Sequence, residues 1–259
     1  MPKKSKHGSA RATESPKPSY AKARLQPGLL SLVRPFLAKK EHFLGAVEIA
    51  DLQELFSKSR IRRFAADQSI FSRGDPGDGL YVILEGRVGI RTISFDGKEI
   101  ILNILDKGEV FGEIAVLDGK ERTAGAVAME AADLLFIDRE TFMDVVRSRP
   151  RLCLKLLEIL CGRLRWTSAV IEDAYFHDLR SRLARRLLNL AKSYGATTKQ
   201  GIALRIKLSQ DDLGRMLGVT RESVSKEMGV LQRRGIVSSR HASIVIRDLD
   251  ALERVAALN

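Results

Sequence analysis

Long apolar runs are missing from this chain. No stretch approaches the roughly 18 residues of a membrane helix, so a span is not expected. The N-terminus is basic but has no apolar core segment or small-residue cleavage site, which argues against a secretory signal and for a cytoplasmic protein. Cysteine is scarce. Cys153 and Cys161 lie eight apart in a helical pattern, too far for a disulfide, and are expected as reduced, core-facing thiols. Histidine is scarcer than metal chemistry wants: the four stand at 7, 42, 177 and 241, and none is in ligand spacing to another.

What is present is enough chain for two modest domains and an uneven charge. Of the net +12, residues 1–40 carry +9, residues 41–176 carry −5 and residues 177–259 carry +8. An acidic middle followed by a basic third suggests that the last third meets a polyanion. Residues 1–40 are rich in Lys, Ser, Pro and Ala and are expected to form a disordered basic tail.

From Phe43 to Ser59 the apolar spacing is helical. The pattern then changes to short β runs broken by glycine turns: Arg62–Phe64, Ser69–Phe71, Tyr81–Leu84, Arg87–Thr92, Glu99–Leu105, Ala124–Met129 and Leu134–Asp138. Short strands at this spacing predict a small antiparallel roll over residues 41–149. One stretch interrupts it, Phe111–Ala126, FGEIAVLDGKERTAGA. Gly112 opens a short helix whose free N–H groups suit a phosphate. Arg122 adds a planar fork for phosphate oxygens. Glu113 fits beside an anion if it accepts from a sugar hydroxyl. Phosphate and ribose together describe a nucleotide.

Pro150 opens a longer helix running to about Tyr175. Cys153, Leu157, Leu160, Leu164, Thr167, Ile171 and Ala174 alternate four and three apart, the seam of a parallel coiled coil, so residues 150–176 are expected to form a homodimer. Thr167 is the odd member. It needs either a hydroxyl or backbone partner, or the base of a nucleotide reaching the seam. In residues 177–259, Asp178 caps a helix and residues 194–201 form a loop. Ser209 and Thr220 then cap two helices separated by Gly218-Val219, a helix-turn-helix spacing. The second helix leaves Arg221, Glu222, Ser225 and Lys226 outward at its N-terminal end, where base edges are read. Ser209, Thr220 and Ser223 are placed for phosphate contacts, and Ile236–Ile246 reads as a hairpin wing.

The run Phe111, Gly112, Glu113, Ile114, Ala115, Leu117, Arg122, Thr123 and Ala124 resembles the phosphate-binding cassette of cyclic-nucleotide-binding domains. Together with the seam helix and the winged helix-turn-helix, residues 42–250 resemble the Crp/Fnr family of bacterial transcriptional regulators. The resemblance implies an α+β fold: an N-terminal cyclic-nucleotide-binding β-roll, a long dimerisation helix and a C-terminal winged helix-turn-helix. It implies ribose and phosphate contacts at Gly112, Glu113, Ile114, Ala115, Arg122 and Thr123. On the long helix it implies contacts from Arg163, Thr167 and Ser168, the last two reaching the adenine amino group from opposite subunits. Double-stranded DNA with TGTGA-like half-sites, a cyclic nucleotide and RNA polymerase are the implied partners.

Two departures stand out. Lys226 replaces an Arg of the cAMP-receptor type, turning a forked contact into a point charge. Thr123 replaces a Ser, and a Thr there accompanies cGMP in eukaryotic relatives, so cAMP is the expected effector with cGMP second. No cofactor is expected. Two cysteines cannot hold the cluster of the family's iron–sulfur sensors, and His42 is the nearest histidine for a haem. An enzyme reading rests on His177-Asp178 alone, a His-Asp pair like that of nucleotide phosphohydrolases, and is not expected.

Overall fold

A computed structural model describes residues 20–22, 55 and 58–257. The expected helix at 43–59 lies outside the described residues save for its last positions.

The first unit is a roll of two antiparallel sheets. The strands β1 (Tyr20–Lys22), β2 (Arg60–Phe64), β9 (Ala132–Asp138), β4 (Gly79–Glu85) and β7 (Val110–Phe111) lie in that order in one. The other runs β3 (Ser69–Phe71), β8 (Gly125–Ala128), β5 (Val88–Ile93) and β6 (Glu99–Leu105). The β1 strand corrects the expectation of a wholly unordered arm over 1–40: Tyr20–Lys22 pairs antiparallel with Arg60–Arg62 and extends the sheet edge. Alternation explains why β4 reads as one apolar run. Tyr81 and Ile83 enter a core between the sheets with Phe111, Leu134 and Phe136. Leu80, Val82 and Leu84 enter a second core on the opposite face. Both faces are covered, so both are apolar. Each such side chain contributes about 1.5–3 kcal/mol by burial.

Helices cover the outer face. Between β7 and β8 sits α1 (Glu113–Asp118), and α2 (Arg139–Ser148) follows β9, capped by Asp138. The long α3 (Pro150–Phe176) has 27 residues, about 40 Å of rod. Its Leu152 and Leu156 complete the outer core, while Leu154, Leu157, Leu164 and Ile171 are exposed. The expected seam residues Cys153, Thr167 and Ala174 are exposed on the same side, and Leu160 is half-buried. Here the cysteine reading is corrected. Cys153 and Cys161 are both free and both exposed, because the opposite stripe of α3 is the one that packs on the roll.

The second unit begins at α4 (Leu179–Tyr194), whose N-cap Asp178 accepts from Ser181 N at 2.8 Å. The stretch expected as a loop is a hairpin, β10 (Gly195–Thr198) and β11 (Gly201–Leu204). Its second strand pairs through Ile202–Ile246 with the wing, a non-local partner. Then come α5 (Gln210–Leu217), α6 (Arg221–Arg233), the wing strands β12 (Val237–Arg240) and β13 (Ser243–Ile246), and a closing α7 (Leu249–Ala256). Gly214 makes the helix pair possible: a Cβ there would stand 2.8 Å from Val219 O. Ile101 and Ile104 of β6 join the core of this unit with Met216 and Leu213, so the two units share apolar contact.

Candidate functional site

Gly112 is the hinge of the cassette. It ends β7 at φ 81°, a left-handed conformation that favours glycine. A Cβ would fall 2.6 Å from Arg122 Nη1. That closeness is used: Arg122 donates from Nη1 to Gly112 O at 2.8 Å, and from Nη2 to Gly79 O at 2.5 Å and Asp78 Oδ1 at 2.9 Å. Its guanidinium also lies 4.3 Å from the Phe71 ring centroid. Arg122 is 3% exposed, and its Nε–H has no partner.

Glu113, the first residue of α1, is 1% exposed. Arg163 reaches down from α3 and donates to Glu113 Oε1 and to Val110 O. Glu113 Oε2 accepts nothing. Nearby, burial pushes the Glu109 carboxyl above the usual range, against the pull of its bond from Asp106 N–H and the field of Arg163. One cavity of about 70 Å³ gathers Gly112, Glu113, Ile114, Ala115, Arg122, Thr123 and Arg163, all expected from the sequence. Phe71 is also in its wall, and Asp78 holds Arg122 from outside. Neither was singled out, since strand pairing across the roll brings them there.

Thr167 and Ser168 are not brought to this cavity within one chain. Their hydroxyls donate back to Arg163 O and Leu164 O at 2.9 and 3.0 Å, the backbone alternative for the seam hydroxyl.

The second candidate face is a groove of about 520 Å³ along α6. Arg221, Glu222, Ser225 and Lys226 line it as expected, joined by Gln210, Gly229 and Arg233. Arg233 and Gly229 continue the 3.6-residue period from Glu222 through Lys226, a signal that was present but not followed to the helix end. Of the three expected phosphate contacts, Ser209 and Thr220 are caps, and Ser223 donates its N–H to Thr220 Oγ1. Ser209 and Asp212 form a capping box, and the Thr220 and Ser223 hydroxyls stand 3.1 Å apart at the start of α6. His177 Nε2 stands 3.9 Å from Asp173 Oδ1. Asp178 caps α4, and among the described residues no His, Cys, Asp and Glu cluster suits a metal. No helix among them is long and apolar enough to cross a membrane.

A cassette-bearing roll, joined by one long helix to a winged helix-turn-helix, defines a class: a ligand-binding DNA regulator in one chain. Comparison with known proteins is specific. Residues 61–149 match the family model of the cyclic nucleotide-binding domain, and residues 181–255 match that of the Crp-like helix-turn-helix domain. The CRP-like cAMP-activated global transcriptional regulator of Mycobacterium tuberculosis is 32% identical over 222 residues, 85% of this chain and 98% of that protein. The cyclic AMP receptor protein of Thermus thermophilus is 31% identical over 211 residues, 82% of this chain and 94% of that one. A solved CRP-family transcriptional regulator from Thermus thermophilus superposes with a TM-score of 0.65 at 30% identity, covering 76% of this chain and 96% of that one. The chain belongs to the Crp/Fnr family of cyclic-nucleotide-binding transcriptional regulators, and its relatives are regulators, not enzymes.

Proposed function

We propose that this chain is a homodimeric cytoplasmic regulator that binds a palindromic DNA site when a cyclic nucleotide, cAMP before cGMP, occupies the cassette. One observation carries the reading. Two buried polar atoms of the cassette, Arg122 Nε–H and Glu113 Oε2, lack partners. They are one donor and one acceptor, the pair that a phosphate oxygen and a ribose hydroxyl would satisfy. Two relatives carry cAMP in their names, which supports the choice of effector.

The coupling follows from Arg163. It ties Glu113 to α3, so a sugar hydroxyl on Glu113 works directly on the helix that carries the exposed stripe. The phosphate would compete with Asp78, 58% exposed at its side chain, for Arg122 Nη2. A cavity of about 70 Å³ is small beside ligand sites of roughly 300–1,000 Å³. Seating a nucleotide therefore moves Ile114 or α3, and that movement repacks the paired helices. Thr167 and Ser168 would then meet the base from two subunits. The recognition helices would come to lie ~34 Å apart, one turn of DNA. A polymerase contact at β10–β11 belongs to the same reading.

The small cavity also favours a second reading, a regulator that binds DNA without ligand. The two separate in a titration of the full chain against a TGTGA-N6-TCACA duplex at fixed salt, alone, with cAMP and with cGMP. Gating predicts at least a tenfold gain (about 1.4 kcal/mol) with one nucleotide, absent in Arg122→Leu. Equal affinity in all three arms rejects gating in favour of the ligand-free regulator.

A further inference from the structure

The junction of the roll, α3 and the DNA-binding unit holds a second cavity, of about 320 Å³. It shares no residue with the cassette. Asn103 of β6, Trp166 of α3, and Arg186, Asn189, Lys192 and Tyr194 of α4 form most of its wall. Three parts of the molecule thus meet around one space.

Its chemistry is one-sided. Arg186 is 8% exposed, and a guanidinium offers five N–H donors. Among the described residues one of them is used: Nη2 donates to Met216 O at 3.2 Å. The ring of Trp166 lies 4.8 Å away, covering one face of the cation without neutralising it. No carboxylate stands within ion-pair distance of Arg186 among the described residues. Asp173, whose field reaches it, pairs instead with Arg185 at 3.3 Å, and Arg182 adds a second positive field. Burial lowers the Arg186 pKa to about 10, as expected where a positive charge is under-compensated. Lys192 is exposed and makes no ion pair among the described residues. The Asn103 carbonyl oxygen accepts from Ile104 N at 2.9 Å, leaving its NH₂ to donate.

A buried cation, a second cation and amide donors around one cavity, with no carboxylate in ion-pair contact with either cation among the described residues and Asp173 reaching Arg186 only through its field, make a receptor for an oxyanion. We propose that this cavity binds a small anionic metabolite through a phosphate or carboxylate held by Arg186 and Lys192, with Asn103 and Asn189 as further donors. The volume lies at the lower end of ligand sites. An occupant would bridge α4 to β6 and α3, so it would hold the DNA-binding unit against its own roll. The inference does not depend on the cassette being active.

The reporter is built in, since Trp166 is the single tryptophan of the chain. The full-length protein is titrated with inorganic phosphate and, separately, with citrate, at ionic strength held constant with sodium chloride. A saturable change in Trp166 emission, half-complete below about 1 mM (−4.1 kcal/mol), is expected for at least one anion. Which one responds distinguishes a phosphate ligand from a carboxylate. Arg186→Gln should abolish the response. Because Arg186 also supports packing, Lys192→Gln is the decisive variant: it is exposed, should leave the melting temperature unchanged, and should weaken the response about tenfold. Arg122→Leu should leave it intact. A response no different from chloride, one unaffected by Lys192→Gln, or one lost in Arg122→Leu overturns the site.

Discussion

The cassette and the α6 groove are both charged, and they are built on opposite plans. In the cassette Arg122 and Glu113 are shielded from water and already bonded to the protein. On the groove Arg221, Glu222 and Lys226 stand in solvent, and none has an ion pair among the described residues. Shielded charges interact strongly and penalise any ligand that leaves one unpaired, so the cassette is suited to choosing between small molecules. Solvated charges are screened and attract any polyanion, so on the proposed DNA reading selectivity at the groove would come from shape and base edges.

The severest way to break this contrast is Arg122→Leu. It removes the guanidinium that links Gly112, Gly79 and Asp78. Cyclic-nucleotide affinity should fall by at least ~100-fold, since several charged hydrogen bonds are lost at once. Calorimetric titration reads this, and a variant that keeps its affinity within about fivefold would place the ligand elsewhere.

A smaller effect is expected on the groove. Arg221→Ala should lower affinity for the matched palindrome by ~10–100-fold with little change on a scrambled duplex. Lys226→Ala should weaken both about equally and flatten the slope of log affinity against log salt by about 1. Fluorescence anisotropy across a salt series separates the two. Equal losses for Arg221→Ala on both duplexes would assign it to the phosphates.

The smallest effect tests a charge that is solvated yet bonded. The Ser181 N–H, chiefly, holds the Asp178 carboxyl below its usual pKa, against partial desolvation. A folded pKa below the unfolded one means the contribution is complete above the unfolded value near ~3.9 and is lost as pH falls through the folded value. Asp178→Ala should therefore cost about 1 kcal/mol at neutral pH, with the difference closing in strong acid. Denaturant midpoints at two pH values check it, and a difference that persists in acid would assign the loss to something other than the cap.

The roll was legible because β patterning and turn glycines are local signals: seven of its strands, β2 to β6 with β8 and β9, fall on the seven short runs read from the sequence. Asp178, Ser209 and Thr220 were legible as caps for the same reason. What was not legible depends on distant partners. The β10–β11 hairpin looks like a polar loop until β13 pairs with it. Asp78 looks like any turn acid until Arg122, 44 residues on, meets it. The thiols of α3 could not be oriented without knowing which of two apolar stripes the roll takes. The α7 helix is a plain omission, since Asp248 followed by Leu252 and Val255 is a local signal, and so is the outer end of α6.

The exposed Leu154, Leu157, Leu164 and Ile171 of α3 have a genetic consequence on the dimer reading. Such a stripe is recognised wherever it occurs, whatever is fused after it. A truncated allele ending soon after Phe176 would keep the stripe and lose the groove. Co-expressed with the intact gene, it would capture full-length chains in one-armed pairs unable to span a palindrome. Loss of the C-terminal third would then be dominant, while loss of the whole gene would be recessive.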